Sequence, residues 1–600
     1  MNSEKKTKKR GLLKLLFGSR KELSIYEEEA LESQFRVVAR RFLSKKLNIA
    51  AVILFAGIFL LMVIYPVFRP LDVNYQETTQ QNIAPGFGLM NVPKKLQGNV
   101  KDIAVGATFS VGVSEDSEVY VWGQTQVTKR VDLAEDIPEK MGEIVQVSAG
   151  YDHIMVLNSK GQVFCWGNDR MQQCQVPSKL QSGRTKVVYI EAGYQASIAI
   201  DEDGEIYFWG NESMIDFKAG EYQGNLEKAK FTFSGVVGLT KDKEMVILGR
   251  KKASYSDIPE LGEVVDFACT ANTVCAITAD GGITVWGYYE RDLEKVPEDM
   301  DGTPIQVEAG RYHYTVLTDT GHVYSWGYDN YGQASAPSGL SGAESVHCGY
   351  FQNYAVLKDG TVKTWGLKGY LFGSDGYGRD VFSRLAGGGR MTMTIGAIAV
   401  IISTVIGVVM GSIAGFFGGK IDILIMRIQE IVSSIPFMPL AMILSAVISS
   451  SVSETGRIFM IMCILGVLQW TGLCRLVRAQ VLAEREKEYV TAGRAMGVSK
   501  KALIFKHIFP NVISVIIVNA TLDFAACMLT ESGLSYLGFG VIEPTPTWGN
   551  MLNGCNDSVI IQNYWWRWVF PALFLGACTI CINIIGDGLR DAMDPKTEQR

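Results

Sequence analysis

A Trp-Gly pair recurs at Trp122, Trp166, Trp209, Trp286, Trp326 and Trp365, and Leu248-Gly249 fills the one gap, so the steps are 44, 43, 39, 38, 40 and 39 residues. A fixed period near forty confines this stretch to copies of one supersecondary unit, because a unit of that length cannot bury its apolar face alone and must pack on its neighbours. Each copy reads as an alternating strand, a Gly-containing turn and a second strand ending in Trp-Gly; QVSAGYDHIMVLNSKGQVFCWG, YIEAGYQASIAIDEDGEIYFWG and QVEAGRYHYTVLTDTGHVYSWG are the clearest. Period-two alternation broken by Lys-Gly, Asp-Gly or Thr-Gly is a hairpin signal. The repeats predict seven all-β units.

Charge sets this stretch apart. Between Pro70 and Tyr370 there are 25 Lys and Arg against 40 Asp and Glu, a net of −15, whereas the rest of the chain holds 32 against 22, a net of +10. An acidic middle argues against nucleic acid, which needs a basic face to replace the counterions on phosphate. The basic remainder brackets apolar segments. Leu47 to Phe68 carries no charge over 22 residues, enough for a helix to cross a hydrocarbon core of about 30 Å. It follows a tail with 13 Lys and Arg, so the amino terminus is expected inside the cell and residue 70 onward outside. The apolar run at Gly11 to Gly18 is too short for a secretory signal.

Five further apolar blocks predict spans near 391–417, 431–452, 458–474, 508–530 and 569–585, six in all, with both termini cytoplasmic. The polar stretch 475–507, with eight Lys and Arg against three Glu, then falls on the cytoplasmic face. Cys578 and Cys581 form the only close cysteine pair and lie in an apolar block, where packing is the expected role. The five histidines are dispersed, so neither a metal site nor a catalytic group is assigned.

The forty-residue units resemble the regulator of chromosome condensation family, most fully at WGYDNYGQ, Trp326 to Gln333. That resemblance implies a seven-bladed β-propeller with a four-stranded blade per repeat, a closed ring that leaves only short edges.

Outside the repeats, five stretches resemble the inner-membrane permeases that import dipeptides, oligopeptides and, in some branches, nickel. The first is SQFRVVARRFLSKKLNIAAVIL, Ser33 to Leu54, similar to the family's basic lead-in and first span. The second is GSDGYGRDVFSR, which carries Asp375, Gly378, Arg379, Asp380, Ser383 and Arg384. The third is EYVTAGRAMGVSKKALIFKHIFPN, similar to the cytoplasmic coupling loop whose pattern is Glu-Ala-Ala, three residues, Gly, then Ile-x-Pro. Thr491, Ala492 and Gly493 stand at the first three places, followed by Gly497, Ile508 and Pro510; Glu488, Tyr489, Arg494 and His507 belong to the same stretch. A short helix, a Gly turn and a second helix make a knob that fits a cleft in a partner. The fourth, ESGLSYLGFGVIEPTPTWGNML, holds Glu531, Gly538, Gly540, Trp548 and Gly549; the fifth, NIIGDGLRDAMDP, holds Asn583, Gly586, Asp587, Arg590 and Asp591. Asp523, inside an apolar span, is a candidate for either a functional or a hydrogen-bonding role.

The resemblance implies a six-helix permease subunit of an ATP-binding-cassette importer, with a propeller inserted in its first extracellular loop. The expected boundaries are a cytoplasmic tail at 1–46, a first span at 47–68, an extracellular linker at 69–91, the propeller at 92–368 and the permease core at 369–600, with the coupling loop at 475–507. The implied partners are a second permease, two cytoplasmic ATPases, an extracellular substrate-binding lipoprotein and the peptide itself. ATP and Mg²⁺ belong to the ATPases, since AGFFGGKI at Ala414 to Ile421 lacks the first Gly and the hydroxyl of a phosphate loop. The inserted propeller is expected to dock the binding protein or the peptide. Nickel import, or a receptor or adhesion protein tethered in the membrane, is the alternative.

Overall fold

A computed structural model describes residues 34–211, 224–233, 235–249, 253–449 and 453–593. The predicted apolar run at Gly11 to Gly18, the end of the predicted third span at 450–452 and Pro595 lie outside them. The chain divides into a helical unit, Met1–Asn74 with Ser383–Arg600, and a β unit, Tyr75–Phe382.

In the β unit seven three-stranded antiparallel sheets follow one another, each made of consecutive strands. Their first strands are Val100–Val105, Ile144–Ala149, Val187–Ala192, Leu226–Phe231, Val264–Cys269, Pro304–Ala309 and Ala343–Cys348. Each first strand neighbours the next, and Ala343–Cys348 returns to Val100–Val105, so the row closes on itself. Second strands such as Ala196–Asp201 are buried on both faces, as strands packed between two neighbouring sheets must be. The tryptophans explain the constant period. Trp166, Trp209, Trp286 and Trp326 are buried, and each donates its indole N–H to a carbonyl of the preceding repeat, at Leu133, Gln173, Tyr255 and Leu293, over 2.9–3.0 Å. One residue type thus fills the core and staples adjacent units. A second set of staples was not anticipated: Asp102 accepts from Val147 N, Gln146 pairs with both backbone groups of Ile190, and Gln306 does the same at Val346.

Two expectations are corrected here. The seven repeat sheets have three strands, not four: among the described joining segments only Gln126–Thr128 and Val131–Asp132 form a ladder, and they pair with each other and not with a repeat sheet. The β unit also extends beyond 92–368. Ile83, Leu89, Met90 and Tyr370 join the apolar cluster between the first and last sheets, Pro85 and Gly86 bridge Tyr370, and Ser374 Oγ receives Ile83 N. The stretches expected as a linker and as the start of the permease core are therefore partly the closure of the β unit.

The helical unit comprises α1 (Gln34–Ser44), α2 (Lys46–Phe68), α3 (Val381–Phe417), α4 (Gly419–Ser434), α5 (Phe437–Ser449), α6 (Glu454–Arg485), α7 (Glu488–Ala495), α8 (Lys500–Ala502), α9 (Phe509–Tyr536), α10 (Trp548–Leu552), α11 (Ser558–Asn563) and α12 (Trp566–Met593). Five helices of the described residues are long and apolar enough to cross a membrane. The predicted third span is instead the pair α4 and α5, bent by 79° at Ile435–Pro436. Proline removes an N–H and disfavours a helical conformation in the residue before it, which accounts for the break. The predicted loop 475–507 also begins inside a helix, since α6 runs on to Arg485. α3 and α6 approach closely along Gly407, Gly411 and Gly415: a Cβ on these would lie 3.1, 2.6 and 2.8 Å from the carbonyl oxygens of Trp470, Cys474 and Arg478. Such a four-residue stripe of Gly is how apolar helices pack without bulky side chains between them.

Candidate functional site

The stretch after α6 folds back as a knob. Val490, Leu503 and Ile508 are buried with Phe416, Val477, Val481 and Val512, which anchors α7 and the turn after it onto the long helices. α7 stops at Gly497, whose φ is +80°. Val498 N donates to Gly493 O at 3.0 Å and Gly497 N to Arg494 O at 3.1 Å, the two bonds of a Schellman C-cap. Gly is favoured at that left-handed position because it has no Cβ to clash. Gly493 serves a different need: a Cβ there would stand 2.9 Å from Leu503 Cδ2. The chain then runs through α8 and a π-helical turn, Leu503–Ile508, straight into α9, with Pro510 in its first turn. The second helix of the predicted helix-turn-helix is thus the start of a long apolar helix.

Behind the knob is a polar clamp that sequence reasoning missed. Glu484, buried at the end of α6, accepts from Lys487 Nζ at 2.5 Å and from the Tyr489 hydroxyl at 2.6 Å. Asn511 Nδ2 donates to Tyr489 Oη at 2.9 Å and to the His507 carbonyl at 3.0 Å. Partial burial and the bond to Glu484 push the Tyr489 phenol above its usual value, so it stays a donor. The signal was present as a lone Glu closing an apolar helix, but its partners lie up to 27 residues away.

The outward face of the knob is formed by Glu488, Thr491, Ala492, Arg494 and Gly497, with Lys500, Lys501 and the side chain of His507 beside them, all exposed. Met496 at 77% and Phe505 at 68% exposure are two large apolar groups of the same stretch.

The other predicted residues form two groups. Asp375 accepts from Tyr377 N and Arg379 N and pairs with Arg379 Nε at 2.8 Å, while Asp380 caps Phe382 N; these and Gly378 belong to the β unit. In the helical unit Ser383 Oγ meets Tyr65 Oη at 3.0 Å, and Arg384, its side chain 2% exposed, grips Glu543 through Nη2 at 2.7 and 2.9 Å and donates to Pro544 O. Trp548, fully buried, donates Nε1 to Leu385 O. Glu531 is buried and accepts from Ser535 Oγ, Gly540 packs on Ser535, Gly549 packs on the Ser532 backbone, and Gly538 turns with φ +83°. At the far end of α12, Gly586 packs on Leu522, Asp591 pairs with Lys45 at 2.7 Å, and Asn583, Asp587 and Arg590 stand exposed. These groups hold helices and turns together, which is a scaffold's work and not a reactive constellation. Asp523 lies half-buried on α9.

Residues 407–599 match the family described as binding-protein-dependent transport system inner membrane component, and residues 144–173 and 305–333 match regulator of chromosome condensation repeats. Those two repeats coincide with the second and sixth sheets. The oligopeptide transport system permease protein OppC of Haemophilus influenzae is 42% identical over 231 residues, 38% of this chain and 72% of that protein. The dipeptide transport system permease protein DppC of Bacillus subtilis is 38% identical over 227 residues, 38% of this chain and 69% of that protein. Among solved structures, the CRINKLY WD40 ectodomain of an Arabidopsis thaliana receptor kinase is 19% identical, covering 45% of this chain and 96% of its own, with a TM-score of 0.37. The chain is a multi-pass membrane protein that belongs to the family of inner membrane components of binding-protein-dependent transport systems and carries regulator of chromosome condensation repeats in an all-β region between its helices.

Proposed function

We propose that this protein is one of two membrane-spanning subunits of an ATP-driven peptide importer. The observation that carries this reading is the exposed, basic knob around Gly497, rooted on α6 and continuous with α9, in a chain 42% identical to an oligopeptide permease. Two cytoplasmic ATPases hold this knob and its counterpart on a second permease. ATP closes the ATPase pair, the knobs move together, α9 carries the motion, and the spans exchange inward-facing and outward-facing states, a two-state equilibrium biased by nucleotide. ATP and Mg²⁺ act in the partner subunits, and this chain performs no chemistry of its own. Counting the bent pair α4 and α5 as one, the spans number six, both termini are cytoplasmic, and the β unit is an extracellular seven-bladed propeller in the first outer loop. The ring of seven sheets and the basic amino-terminal tail support that placement. An extracellular binding protein delivers peptide to the outward-facing state. Uptake of a labelled tripeptide by cells with and without this chain tests the reading: uptake is expected to be lost without it and restored by the intact gene, while unchanged peptide uptake with lost nickel accumulation assigns the metal instead.

A further inference from the structure

The axis of the β unit holds a cavity of about 540 Å³, within the range of small-molecule sites, that none of the permease features uses. Its wall comes from the ends of the seven first strands and the turns after them, with Thr78 and Thr79 of the segment that precedes the first sheet. On it Lys230 Nζ lies 3.6 Å from Glu191 Oε2 and 3.6 Å from Glu308 Oε2, so two carboxylates share one ammonium. The neighbouring cations are already matched: Lys228 with Asp266 at 2.5 Å, and Arg311 with Glu77 at 3.6 Å. Burial holds His347 below its usual value and thus neutral. Two carboxylates thus face one ammonium among groups largely removed from water, where a carboxylate gains most from a further cation. The two carboxylates divide accordingly: burial pushes Glu191 up despite Lys230, whereas the Lys230 ammonium overcomes burial at Glu308 and holds it down. Tyr194, Phe233 and Tyr350 line the same cavity, Tyr194 and Phe233 being 40% and 57% exposed, with Tyr151 packed on Tyr194 at 4.7 Å. Aromatic rings in one cavity with two carboxylates that share a single ammonium favour a cation attached to an apolar body.

We propose that this cavity captures a primary ammonium group, the free amino terminus of a short peptide, between Glu191 and Glu308, with the first side chain against Tyr194, Phe233 and Tyr350. The choice of a peptide rests on the import reading above; the site itself rests on the charge and shape of the cavity. It makes the inserted β unit a receptor that concentrates substrate. A lysine side chain offers the same ammonium, so the test separates the two.

The purified full chain in detergent, without ATPases, is titrated with Phe-Ala-Ala, acetyl-Phe-Ala-Ala and acetyl-Lys-Ala-Ala by calorimetry. The free tripeptide is expected to bind at least tenfold tighter than either acetylated one, Glu191→Gln to lose at least tenfold, and Tyr194→Ser, at an exposed position, to lose severalfold while unfolding as the native protein does. Equal affinity for free and acetylated Phe-Ala-Ala, tighter binding of the acetylated lysine peptide, native binding by both variants, or no binding up to millimolar peptide overturns the proposal. Uptake in cells is read separately: loss of import with binding intact would fall on the importer reading, and import without binding here on this site alone.

Discussion

Replacing Gly497 separates what the turn needs from what a partner needs. The left-handed φ of +80° costs an L-residue about 1 kcal/mol, and nothing lies within 4 Å of a Cβ built there, so Gly497→Ala carries that conformational term and no collision. About 1 kcal/mol is a fivefold shift in the population of the correctly folded knob. Gly497→Asn, a residue that tolerates this conformation, should cost less. Gly497→Trp carries a term similar to that of Ala, but its side chain stands in the open space where the partner would sit. In membranes co-expressing the ATPases, the amount of ATPase retained on the affinity-purified chain is therefore expected to be near native for Asn, reduced no more than about fivefold for Ala, and abolished for Trp, with all four proteins equally abundant and membrane-inserted. Equal losses for Ala and Trp would mean that only the turn matters. Full retention by Trp would refute the assignment of this face to the ATPase.

Three further outcomes follow from the packing. Gly411→Leu, whose Cβ would sit 2.6 Å from the Cys474 carbonyl, should prevent α3 from meeting α6 and abolish recovery of folded protein, whereas Gly472→Ala, with nothing within 4 Å, should leave recovery and thermal stability unchanged. Arg384→Ala strips the donors from Glu543 and Pro544 O and is expected to cost about 2 kcal/mol, read as a lower thermal midpoint of the purified chain; Arg384→Lys, lacking the two-pronged geometry, should recover only part of it. Lys230→Met leaves Glu191 and Glu308 without their shared ammonium, so both are held above the usual carboxylate range by burial. A raised carboxyl binds its proton more tightly folded than unfolded, so its stabilisation is present in acid and lost as pH rises through the raised value. The unfolding midpoint of the variant's β unit should accordingly fall more steeply than the native one as pH rises above the usual carboxylate range, and parallel profiles would contradict the shared ion pair.

The β unit was legible in the sequence because Trp at one strand end both fills the core and staples the preceding repeat, which forces a constant spacing. Its limits were not, since residues 75–91 and 369–382 attach through backbone bridges and scattered aromatics such as Tyr75 and Tyr370, which carry no period. Hydropathy located the long helices but not the 79° bend, because Pro436 lies within an apolar run that reads as continuous. At the knob, Gly497 was readable from the resemblance of its stretch to the permease coupling loop, Thr491-Ala492-Gly493 followed by Gly497, Ile508 and Pro510. The exposure of Met496 and Phe505 and the clamp of Glu484, Tyr489 and Asn511 depend on tertiary placement that no local spacing encodes.

The most direct test of the account is affinity purification of the native chain from its own membrane, with identification of what accompanies it and measurement of ATP hydrolysis with and without tripeptide. The account predicts a second permease and two ATP-binding subunits in the complex, with hydrolysis stimulated by peptide and binding protein. A chain that emerges alone, or with hydrolysis indifferent to peptide, would contradict it.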